Sequence, residues 1–142
     1  MEGSIMGDLS TVEYKGDLRT EAVHLDSGEQ IHTDAPKDNE GKGETFSPTD
    51  LVATSLASCM ITVMGIKAKQ HGINMVGTTA DVVKEMAADP RRISAIRINI
   101  HFLNNYSDKE RIILEKTANT CPVGNSLSDE LAVEIHFNYP DK

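Results

Sequence analysis

Tryptophan is absent from the 142 residues, and only three tyrosines and three phenylalanines are present, so the core is expected to be aliphatic. Cysteine is also scarce. Cys59 and Cys121 are the only two, which excludes a disulfide-stapled scaffold. Two cysteines in a chain of this kind are more often reduced, buried or reactive thiols than a structural bridge. Basic residues are in deficit, with 14 Lys and Arg against 22 Asp and Glu and a formal net charge of −8. That balance argues against a nucleic-acid groove and against an anionic membrane surface as partner. No apolar run is expected to reach the ~20 residues of a membrane span. The opening residues Met1-Glu2-Gly3-Ser4-Ile5-Met6 carry neither a basic segment nor an apolar one, so no secretory signal is read there and a cytoplasmic protein is expected. Nucleotide-binding glycine loops and the G-x-S-x-G elbow are missing. His24, His32, His71, His101 and His136 show no paired metal-ligand spacing, so neither a metal nor a cofactor is expected.

What remains is a chain long enough for one domain over residues 1–142, burying about two-thirds of its unfolded surface without staples. Residues 1–8 read as a loose end. The strongest local signal runs from Ser47 to about Gln70. Ser47 is an N-cap residue, Pro48 suits the first helical turn, and Asp50 completes a capping box. The run stops at His71-Gly72, where glycine can take the left-handed conformation of a C-cap. Lys67 and Lys69 in its last turn complement the helix dipole. From Leu51 to Ile66 almost every face is apolar or small, which predicts a buried central helix.

Before this helix, β character recurs at Thr11–Tyr14, Leu18–Leu25 and Glu29–Thr33, with turn residues between, predicting an antiparallel meander. Asp34–Thr45 is a polar loop, expected to be mobile. After the helix, Val76–Ala87 reads as a strand and Asp89-Pro90-Arg91 as a turn. Ile96, Ile98, Ile100 and Phe102 alternate with polar residues in a half-buried strand. Ser107 and Glu110 form a second capping box, opening an amphipathic helix that ends near Asn119. Cys121-Pro122 begins a short helix, and Leu131, Val133, Ile135, Phe137 and Tyr139 alternate in a final strand. Strands grouped apart from helices give an α+β fold with antiparallel sheets.

The two thiols differ in setting. Cys59 lies mid-helix among Ser55, Leu56, Val63 and Ile66, a mostly apolar face on which a buried inert thiol is the simplest reading. A thiolate there needs a cation brought from elsewhere. Cys121 precedes a proline that suits a helix start, so its sulfur is placed near orphan N–H groups that favour a thiolate, or else it packs at a kink. If the two meet, a peroxide could oxidise one to a sulfenic acid and the other could close a disulfide.

The pattern S-P-T-D-L-V-A-T-S-L-A-S-C at Ser47–Cys59, followed by T-C-P-V-G-N-S-L at Thr120–Leu127, resembles the OsmC/Ohr family of thiol-dependent peroxidases, in its broad OsmC-like branch. The order of elements matches over roughly residues 11–139. The resemblance implies an intertwined homodimer that reduces organic hydroperoxides, with Cys59 as peroxidatic thiol and Cys121 as resolving thiol. It implies an external dithiol as reductant, a lipoylated protein in the hydroperoxide-resistance branch. In that branch an arginine from an N-terminal strand and a glutamate at the start of the cysteine helix activate the thiolate. Arg19 is the only arginine in the N-terminal meander and matches the first. The glutamate's position holds Thr49, with Asp50 one step on and Glu44 in the preceding loop as stand-ins. Thr49 lies ten residues before Cys59, about 15 Å along a straight helix, and Asp50 points to the opposite side. A helix cap is therefore the job expected of Asp50. The alternatives are a dimer of the same fold that binds a small apolar ligand, and a general redox or stress protein.

Overall fold

The computed structural model describes residues 7–140. The expected loose end at residues 1–8 lies mostly outside them. Two compact units divide at the first turn of the long helix, between Leu51 and Val52.

The N-terminal unit is an antiparallel meander of β1 (Ser10–Gly16), β2 (Arg19–His24) and β3 (Gln30–Asp34). Its register sets Val12, Ala22 and Ile31 in line across the strands and Arg19 opposite Asp34. Val12, Tyr14 and Ile31 are exposed on one face of this sheet. The following loop is not the open connection its polar composition suggests. Gly41 and Gly43 donate backbone hydrogen bonds to Pro36 and Ala35, and the Glu44 N–H reaches Asp34 Oδ2 at 3.0 Å. The turn is so tight that a Cβ on Gly41 would lie 1.8 Å from the Ala35 carbonyl oxygen, so only glycine fits.

Helix α1 (Pro48–Gln70) opens with the expected capping box. Asp50 N–H donates to Ser47 Oγ at 3.0 Å, and Ser47 N–H donates to Asp50 Oδ2 at 2.9 Å. It ends at Gly72, whose φ of +69° is the left-handed cap geometry. By length and composition α1 would suffice to cross a membrane, with an 18-residue window of mean hydropathy 1.6, although no such run was expected. Its Ser, Thr and Gly residues interrupt the apolar run, but Ala, Val, Ile, Leu and Met keep the average high. One third of that window is buried in the chain itself.

The expectation of burial on nearly every face does not hold in the single chain. Ala53, Leu56, Ala57, Met60, Met64 and Ala68 form one buried stripe, while Val52, Ser55, Ser58, Thr62, Ile66 and Lys69 form an exposed one. Two hydroxyls of the exposed stripe are satisfied within the helix. Ser55 Oγ donates to the Val52 carbonyl at 2.7 Å, and Thr62 Oγ1 to that of Ser58 at 2.8 Å.

The buried stripe shares its core with β4 (Thr79–Ala87), β5 (Arg92–His101), α2 (Asp108–Ala118), α3 (Pro122–Asn125) and β6 (Ala132–Asn138). β4 starts three residues later than expected, because Gly77 has φ +91° and Thr78 N–H turns back to the Met75 carbonyl. β5 is the middle strand, and Ile96, Ile98 and Ile100 on it are fully buried. Each such side chain contributes about 1.5–3 kcal/mol relative to exposure. β4 pairs with β5 antiparallel, but β6 joins β5 parallel, which corrects the expectation of wholly antiparallel sheets. The physical reason is the connection: α2 and α3 lie between β5 and β6 and supply the long crossover a parallel pair requires. α2 carries its expected capping box between Ser107 and Glu110. The core is aliphatic in its middle, with an aromatic end where the Phe102 ring stacks on Tyr139 at 4.8 Å and meets Tyr106 edge-on at 5.5 Å.

Candidate functional site

Cys121 is the N-cap of α3, with Pro122 in the first turn. Its Sγ accepts a hydrogen bond from Gly124 N–H at 3.2 Å. Only 2% of the residue is exposed. Burial pushes the Cys121 thiol above its ordinary value, the Gly124 and Val123 N–H groups pull it down, and a hydrogen bond to Cys59 pushes it up again. The two thiols, 62 residues apart in sequence, are thus neighbours in the fold, with Cys59 packed against the core cluster that includes Cys121, and both are free. Cys59 sits half-buried on α1, at the edge of the buried stripe and packed against the core. In α1 the helix period sets Cys59 one turn from Leu56 and Val63, and in α3 the proline start goes with a buried Cys121 sulfur.

Arg19 opens β2 in the N-terminal unit. Its Nε donates to Asp34 Oδ1 at 2.6 Å and its Nη2 to Asp34 Oδ2 at 2.7 Å. The same Nη2 donates to Glu44 Oε1 at 2.8 Å. Asp34 is fully buried, and the Arg19 hydrogen bonds lower its pKa from 3.8 to about 2 against the opposing effect of burial. The two carboxylates hold the Arg19 guanidinium charged well beyond its ordinary range. Glu44, one of the two acidic candidates, therefore reaches Arg19. Asp50, the other, is engaged with Ser47 in the α1 cap. Asp34 escaped the sequence reading altogether. Arg19 and Asp34 fall opposite each other because the hairpin register is centred between Asp26 and Ser27, half a residue from the middle of the Asp26-Ser27-Gly28 reversal.

A match to the model of the OsmC-like protein family spans residues 41–136, which include both cysteines. The chain belongs to the OsmC-like family. A crystal structure of a candidate osmotic stress induced and detoxification response protein from Psychrobacter arcticus 273-4 is 52% identical. It covers 95% of this chain and 98% of its own, with a TM-score of 0.92. An organic hydroperoxide resistance protein OsmC from Legionella pneumophila shares the fold at 14% identity, with a TM-score of 0.71 over 96% of this chain and 98% of that one. An OsmC like protein from Mycoplasma pneumoniae does so at 17% identity, with a TM-score of 0.76 over 92% and 94%. Among functionally curated proteins no match is found.

Proposed function

We propose that this OsmC-like protein is a homodimeric thiol peroxidase that reduces organic hydroperoxides. The observation that carries the reading is the contact between Cys59 and Cys121. A thiol pair so far apart in sequence and so close in the fold is suited to pass between dithiol and disulfide. Family membership supports it, as does the name of the Legionella protein of the same fold.

In this reading the Cys59 thiolate attacks the distal oxygen of a hydroperoxide. An S–O bond forms, the O–O bond breaks, and the alkoxide takes a proton and leaves as the alcohol. Cys121 then attacks the Cys59 sulfenic acid, the S–S bond forms, and the hydroxyl departs as water with the Cys121 proton. An external dithiol restores both thiols, and a lipoylated protein is the form this reductant takes in our reading. Arg19 is the cation this reading assigns to the thiolate step, and Asp34 and Glu44 keep its guanidinium charged. The apolar packing of Cys59 suits an organic peroxide better than hydrogen peroxide.

The partner subunit is proposed from two uncovered surfaces: the outer stripe of α1 and the exposed apolar face of the β1–β3 sheet. Stopped-flow oxidation by cumene hydroperoxide tests the chemistry. Wild type should react far faster than free cysteine, Cys59→Ser should not react, and Cys121→Ser should stop at a sulfenic acid that dimedone traps. A wild-type rate no faster than free cysteine would sink the reading.

A further inference from the structure

A pocket of about 190 Å³ opens beside Cys121, walled by Leu56, Met60, Val133 and Ile135 and edged by Asn125. Cys59 is not among its described lining residues. The volume is about six waters' share of liquid, room for the slender end of a small or arm-borne dithiol. We propose that this pocket is the reductant's entry, and that the dithiol attacks Cys121 rather than Cys59. The inference rests on the Cys59–Cys121 disulfide of the reading above.

The argument is stereochemical. Thiolate displacement at a disulfide sulfur is nearly collinear: the attacking sulfur approaches opposite the bond that breaks. A reductant must therefore reach one sulfur from a side not occupied by the other. The pocket reaches Cys121 without including Cys59, so it offers a dithiol a side of Cys121 that Cys59 does not occupy. Its lining is apolar apart from the Asn119 and Asn125 amides, which matches a dithiol on a hydrocarbon chain and disfavours a charged peptide thiol such as glutathione. Displacement at Cys121 expels Cys59 as the thiolate.

The step balances as follows. The first thiolate of the dithiol bonds to Cys121 Sγ, the Cys59–Cys121 bond breaks, and its electron pair leaves on Cys59 as thiolate. The second thiol then attacks the carrier's own sulfur in the mixed disulfide. A cyclic disulfide departs, Cys121 leaves as thiolate and takes up the proton that the second thiol gave. Two electrons pass from the dithiol to the protein.

The test maps the adduct. The disulfide is formed in separate samples with cumene hydroperoxide and with diamide, then treated briefly with 2-mercaptoethanol and quenched with excess N-ethylmaleimide. Peptide mass spectrometry should find mercaptoethanol on Cys121 and maleimide on Cys59; the reverse pattern overturns the inference. If peroxide forms no disulfide but diamide does, the peroxidase reading falls while the point of attack is still read from the diamide sample. Val133→Phe fills the pocket from its exposed wall on β6. It should slow reduction by dithiothreitol about tenfold and leave oxidation by peroxide within about twofold of wild type. Undiminished reduction in that variant would also contradict the inference.

Discussion

Asp34 holds Arg19 through both carboxylate oxygens, at 2.6 and 2.7 Å, from a fully buried position at the end of β3. It also accepts the Glu44 N–H and so ties the 35–46 loop to the same guanidinium. A buried carboxylate of this kind is costly unless paired, and the pairing here is two-pronged.

The pair makes stability depend on acid in a defined window. The folded Asp34 pKa is about 2 and its ordinary value is 3.8, so the folded state favours the ionised form. The contribution is complete above about pH 4 and is lost as pH falls through about 2. Thermal melts of wild type should therefore fall over that interval. Asp34→Asn should be less stable at pH 7 and should show a correspondingly smaller fall. An equally steep acid loss in the variant would remove Asp34 from the account.

Asp50 has a different role from Glu44, although both are acidic residues near the start of α1. Ser47→Ala removes one half of the capping box and should cost about 1 kcal/mol in denaturant unfolding. Asp50→Ala should cost a similar amount through the other half, with the Cys59 oxidation rate unchanged. A rate loss in Asp50→Ala beyond that of Ser47→Ala would make Asp50 more than a cap.

Much of this was legible from local chemistry. Both capping boxes, the meander, the alternating β5 and the proline start after Cys121 depend on neighbours within a few residues, and all are found. The parallel pairing of β6 was not legible, because strand direction is set by the path of the whole crossover rather than by alternation. The exposed stripe of α1 was misread because composition does not report where a serine hydroxyl bonds. Asp34 was overlooked as one acid in a polar loop boundary, when only the hairpin register gives it Arg19 as a partner. The contact between Cys59 and Cys121 came into view only through the family resemblance, since a spacing of 62 residues carries no geometry.

The outer stripe of α1 makes its own prediction. Ser58 lies in its middle, exposed and flanked by Ser55 and Thr62. Light scattering should give wild type twice the mass of one chain, and Ser58→Arg, which inserts a long cation into a close helix contact, should shift it to the monomer. A wild-type monomer at micromolar concentration would contradict the proposed homodimer.

The central claim is that Cys59 and Cys121 are a working pair. Its most direct measurement is non-reducing peptide mass spectrometry of the protein after one equivalent of cumene hydroperoxide. The account predicts a Cys59–Cys121 disulfide within a single chain, formed in step with alcohol release and absent from both Cys→Ser variants. Consumption of the peroxide with both thiols still free, or a disulfide that joins two chains instead, would contradict it.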